Sequence, residues 1–123
     1  MIEKRRFQRV QFQTPCRLLV HDTEERGQLE TLSLNGAMVS FKESVMVPEG
    51  ESCDLQVFLD GRETPLCFRV TVVYSTLFRL HVRFDNAETE TNRRLYRLLR
   101  SLVSNPETLR QELQLLPWDT TGW

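Results

Sequence analysis

A strict alternation of apolar and polar side chains runs through the middle of this chain and limits what it can become. In Phe78-Arg-Leu-His-Val-Arg-Phe84 every second residue is apolar and those between are charged or polar. Leu66, Phe68, Val70, Val72 and Tyr74 keep the same period, as do Cys53, Leu55, Val57 and Leu59, and also Cys16, Leu18 and Val20. Strand side chains leave on opposite faces in turn, so this pattern fits strands with one dry face and one wet face. Turn residues separate the runs at Pro48-Glu-Gly50, at Asp60-Gly61 and near Ser75-Thr76. Asn35-Gly36 predicts a further hairpin, because this pair accepts the positive φ angles of a type I′ turn. The patterning places strands near 14–21, 27–34, 37–42, 52–59, 66–75 and 78–84. Six short strands without helices between them predict a mainly β fold, a six-stranded antiparallel barrel whose closure removes exposed edges.

After the last strand the period changes. Leu95, Leu98, Leu99, Leu102 and Val103 form one helical stripe, with Arg93, Arg94, Arg97 and Arg100 largely off it. Asn105-Pro106 reads as an N-cap followed by proline at the first helical position, and Leu109, Leu113 and Leu116 continue at helical spacing to Pro117. The expected organisation is a basic N-terminal arm over 1–12, the barrel over 13–86, a C-terminal helix and a second short helix over 87–117, and a tail over 118–123 that lacks periodicity. The aromatics Phe68, Tyr74, Phe78 and Phe84 align with the inward faces.

Composition excludes several classes. With 123 residues the chain suits one domain. A net charge of −1 favours no nucleic-acid polymer globally, and no stretch approaches the roughly 20 apolar residues of a membrane span. Three irregularly spaced cysteines, Cys16, Cys53 and Cys67, form no CxxC pair and are expected to be buried free thiols of a cytoplasmic protein. Neither His21 nor His81 stands at metal-ligand spacing beside them, so no metal and no cofactor is expected. No phosphate loop, GxGxxG, HExxH or GxSxG occurs, and Glu24-Glu25 reads as a solvated loop, so no enzyme is expected. The second helix would offer at most a weak self-contact through Leu109, Leu113 and Leu116, making the chain a monomer or weak homodimer.

Charge is concentrated locally. The segment Lys4-Arg5-Arg6-Phe7-Gln8-Arg9 sets Arg5 and Arg9 four positions apart, ahead of the first strand. Guanidinium forks onto phosphate oxygens, pairs with the O6/N7 edge of guanine and stacks on bases. A second element, Thr31-Leu-Ser33-Leu-Asn-Gly36, puts Thr31 and Ser33 on one strand face and Leu32 and Leu34 on the other. Each element alone is unremarkable: a basic tail, and a hairpin with two hydroxyls.

Together, an RxxxR arm (Arg5 to Arg9) followed by a serine-containing strand and turn closing on Gly36 resembles the PilZ domain family. Gly36-Ala37-Met38, the basic-Phe ending Val82-Arg83-Phe84 and a following helix agree with that family, and the likeness covers roughly residues 3 to 103. The resemblance implies a receptor for cyclic di-GMP. Arg5 and Arg9 would grip guanine edges and phosphates, and Arg6 would be an auxiliary cation. Thr31, Ser33 and Gly36 would line the barrel face where the nucleotide lies. An arm closing over a dianion changes the surface that a downstream protein partner reads. Two positions depart from the family pattern: Thr31 stands where it has Asp or Asn, and His81 stands where it often has glycine. Thr31 supports an alternative, a degenerate interaction module that has lost the nucleotide.

Overall fold

A computed structural model describes residues 7–59 and 64–123. Six strands follow one another: β1 (Val10–Val20), β2 (Thr23–Leu32), β3 (Gly36–Ser40), β4 (Ser52–Val57), β5 (Leu66–Ser75) and β6 (Arg79–Asn86). Every pairing is antiparallel, and the order β1-β2-β3-β6-β5-β4 closes on itself through the β1–β4 ladder, where Cys16 faces Val57 and Leu18 faces Leu55. The alternation read from sequence is thus the inside and outside of a barrel wall. Its inward positions, among them Leu18, Leu29, Leu32, Val39, Leu55, Leu66, Phe68, Val70, Val72 and Leu80, are almost wholly removed from water. Phe84 closes one end of this core by stacking on Phe68, with ring centroids 4.1 Å apart.

Two strands begin earlier than predicted. β1 begins at Val10, because Val10 and Phe12 continue the alternation and pack against the core. Arg9 therefore stands at the foot of β1. β2 begins at Thr23, so Glu24 and Glu25 belong to a strand where a loop was expected. There Glu24 meets Arg17 across the ladder at 3.2 Å and Arg26 at 3.4 Å. The hydrogen bond from Arg17 holds the Glu24 carboxyl below the usual carboxylate range.

Two of the four aromatics do not point inward. A register shift between Val72 and Tyr74 breaks the period, so Val73 and Tyr74 both lie outside. Phe78 sits in the β5–β6 turn and is also exposed. Net charge alone therefore disfavours a nucleic-acid polymer. Cys16 and Cys53 are buried, and burial pushes their thiols up to about 12 and about 11. Cys67 is on the outward side of β5, between buried Leu66 and Phe68, and is exposed.

The helices are α1 (Thr89–Leu102), against β5, and α2 (Pro106–Leu113), which packs on α1. Leu95, Tyr96 and Leu99 carry the buried stripe of α1. Asn105 caps α2 as its sequence position predicts, its side-chain oxygen accepting from the Thr108 amide at 3.2 Å with Pro106 next in line. Leu109 and Leu113 are buried within the chain, so they offer no face to a second copy. Trp118 and Trp123 pack against the core, and Trp123 lies 5.9 Å from the Tyr96 ring. Among the described residues no helix is long and apolar enough to cross a membrane.

Candidate nucleotide-binding face

The Ser33–Gly36 turn positions the site. The Ser33 amide donates to the Gly36 carbonyl at 2.9 Å, so Leu34 and Asn35 are the two central residues. Neither they nor Gly36 has a positive φ, so the predicted type I′ Asn-Gly turn does not form. Instead the Ser33 hydroxyl accepts from the Asn35 amide at 3.3 Å and donates to the Asn35 side-chain oxygen at 2.9 Å, a serine side chain standing in for backbone. Leu34 turns inward and is fully buried, which pins the turn against the barrel. The Asn35 carbonyl accepts from the Phe84 amide at 2.8 Å, tying it to β6.

Glycine at position 36 answers to a close approach. A Cβ there would press into the Val82 carbonyl oxygen across the β3–β6 ladder. That approach brings Gly36 opposite Arg83 and Met38 opposite His81. Thr31 pairs with Met38 and Tyr74 with His81, so Thr31, Met38, His81 and Tyr74 make one row across β2, β3, β6 and β5.

This outer surface holds a concavity of about 240 Å³ lined by Arg9, Thr31, Ser33, Asn35, Gly36, Ala37, Met38, Val73, His81, Val82 and Arg83. Four of the predicted site residues, Arg9, Thr31, Ser33 and Gly36, are therefore brought together. The other two, Arg5 and Arg6, lie outside the described residues. Ser33 is the most enclosed of the four at 3% exposure, and its hydroxyl is engaged in the turn, which makes it a shaper of the site first.

The lining holds the cations Arg9 and Arg83 and the imidazole of His81, and no carboxylate among the described residues. Arg83 is aimed by Asp85 at 3.1 Å, and Asp85 is itself held by the Thr71 hydroxyl. Arg9 is positioned by its neighbour. The Gln8 amide donates to the buried Glu112 carboxylate of α2 at 2.9 Å, so the backbone entering the site is anchored to the helical layer. Sequence patterning gave no sign of that contact, which joins residues 104 positions apart. Asn35, Met38 and Val73 were likewise missed, while the basic-Phe ending and the unusual histidine had already singled out Arg83 and His81. Burial, then the charges of Arg9 and Arg79, hold His81 below its ordinary value. The face is thus concave and outward, with Arg9, Arg83 and His81 on its lining.

Comparison with known proteins gives a consistent picture. The sequence matches the PilZ domain model over residues 3–101. The PilZ domain of YcgR from Escherichia coli, solved with c-di-GMP, superposes with a TM-score of 0.69 at 21% identity, covering 93% of this chain and 100% of that one. The longer YcgR structure in complex with c-di-GMP gives 0.67 at 24%, again over 93% of this chain, which spans about half (49%) of that protein. The PilZ domain of CeSA from a cellulose-synthesizing bacterium gives 0.62 at 17%, covering 76% and 96%. No curated protein matches the sequence.

Proposed function

Because the chain belongs to the PilZ domain family, we propose that it is a receptor for cyclic di-GMP, acting in the cytoplasm by passing a ligand-induced change of surface to a protein partner. Neither a catalytic step nor a further cofactor enters this reading. The observation that carries it is the convergence of Arg9, Thr31, Ser33 and Gly36 on one concavity, with Arg83 and His81 completing it. Arg9 supplies a fork for phosphate or guanine, and Arg83 a second cation held in place by Asp85. The concavity lies on the outer face of the sheet, so the dinucleotide lies across the barrel wall. By the family pattern, Arg5 joins Arg9 in gripping the ligand and Arg6 is an auxiliary cation.

Thr31 sets the strength. A hydroxyl offers guanine one contact where an aspartate offers a bidentate pair, a loss of about 1–3 kcal/mol, or about 5- to 150-fold in affinity. That weakening, with the Ser33 hydroxyl engaged in its own turn, is what favours the second reading, an interaction module without nucleotide.

Isothermal titration calorimetry with cyclic di-GMP, and GTP as the control nucleotide, decides between them. The receptor reading expects saturable binding that GTP does not reproduce, abolished or nearly so in Arg9→Ala. Melting of that variant stays at the wild-type temperature, because Arg9 is exposed. Absence of heat with cyclic di-GMP at high concentration and an unshifted melting curve would establish the module instead.

A further inference from the structure

His81 lines the face but is no part of the serine turn or of the basic arm. It stands at the centre of the cross-strand row, opposite Met38 on β3 and Tyr74 on β5. The Tyr74 ring meets it edge-on at 5.6 Å, fixing the imidazole plane from one side. The ring is partly enclosed and lines the same concavity as Arg9, Thr31 and Arg83. His81 therefore shares one concavity with both cations of the face.

We propose that His81 is a further recognition residue of this face, meeting the anionic ligand as an imidazolium beside Arg9 and Arg83. This rests on the cyclic di-GMP reading above. The groups facing His81 account for the change of state. Its own strand contributes Arg79 and Arg83, the start of the chain contributes Arg9, β5 contributes the Tyr74 phenol, and β3 contributes only Met38. Without ligand, burial and the cations Arg9 and Arg79 disfavour a further positive charge, and the ring stays below its ordinary value. Two phosphates laid across Arg9 and Arg83 reverse the sign of that field. The ring then takes a proton from solvent and gains a charge-assisted hydrogen bond.

The sign follows from linkage. A group whose pKa is higher in the complex than in the free protein strengthens binding fully below its free-state value. That gain is lost as pH rises through the bound-state value. Affinity is therefore highest on the acid side of neutrality and falls toward about pH 8, by about tenfold for each unit by which the ligand raises the ring. The range from about pH 5.5 to about pH 8 brackets the ordinary histidine value.

The test is calorimetric titration of cyclic di-GMP across that range, in pairs of buffers with different ionisation enthalpies so that proton uptake is read directly. Wild-type protein should take up a fraction of a proton per ligand near neutrality and bind several-fold more tightly at the acid end. His81→Gln, which keeps a hydrogen-bonding side chain without the titration, should hold the weaker, alkaline-side affinity throughout. His21→Gln, in the distant β1–β2 turn, should keep the wild-type slope. A wild-type affinity independent of pH, or a slope that survives in His81→Gln, overturns the role of His81 and leaves the receptor reading standing. Failure to bind at every pH overturns the receptor reading, and this inference with it.

Discussion

Two hairpin turns of the same length stand in contrast. Between β1 and β2, Val20 pairs with Thr23 and the chain reverses through His21-Asp22, both in solvent. Between β2 and β3, Ser33 pairs with Gly36 and the chain reverses through Leu34-Asn35, with Leu34 buried to the last atom. The first adopts strained backbone, with His21 at φ 53°, and touches little beyond Glu51 at 2.7 Å. The second has no positive φ at all and is fixed from every side: by Leu34 in the core, by the Ser33 hydroxyl, by the Phe84 amide and by the close strand passing at Gly36. One turn only connects strands, whereas the other is built as a rigid edge of the candidate binding face. The difference teaches that local turn preference governs where tertiary contacts are few and yields where they are many.

The sharpest way to break this contrast is Leu34→Ala. Removing a fully buried leucine should cost about 2–5 kcal/mol, read as a lower denaturation midpoint with unchanged slope. It should also weaken cyclic di-GMP binding, since the turn loses its anchor. A loss no larger than that of a surface substitution would show that the turn is held by its hydrogen bonds alone. Gly36→Ala ranks next. Its added methyl meets backbone, the Val82 carbonyl, which cannot swing aside as a side chain would. The expected loss of stability is about 1–3 kcal/mol. Because β3 must part from β6, the Gly36–Arg83 register opens and affinity should fall more than stability predicts. If calorimetry gives wild-type affinity for this variant, close strand approach is not what shapes the face.

The barrel was legible because its signal is local and repeated. Inward residues of β4, β5 and β6 alternate without a break up to Val72, and the Asn105-Pro106 cap of α2 needs only adjacent residues. The misreadings share a cause. Glu24 and Glu25 carry no apolar signal, yet ladder partners on β1 make them strand. Tyr74 falls outside because a register shift of one residue cannot be seen in a hydropathy pattern. Asn35-Gly36 is the pair that best announces a type I′ turn, but Leu34 is apolar enough to pull the reversal one residue earlier. At the candidate face, residues near in sequence (Thr31, Ser33, Gly36) were within reach of motif reasoning. The Gln8–Glu112 contact that positions Arg9 depends on the path of the whole chain, and Met38 and Val73 enter only through pairing register.

The smallest effect belongs to the turn in solvent. At φ 53° a histidine bears a cost that glycine escapes, on the order of 1–2 kcal/mol. Against this, His21→Gly loses the contact with Glu51, whose histidine is 77% exposed, worth at most about 1 kcal/mol. It also gives the unfolded chain the extra freedom of glycine, about 0.4–1 kcal/mol in the other direction. These contributions nearly cancel, so the melting temperature should stay close to wild type and cyclic di-GMP affinity should be unchanged. If His21→Gly instead destabilised the protein as much as Gly36→Ala, the β1–β2 turn would have to be as constrained as the β2–β3 turn. Tertiary fixation would then not be what sets the candidate binding edge apart from an ordinary reversal of the chain.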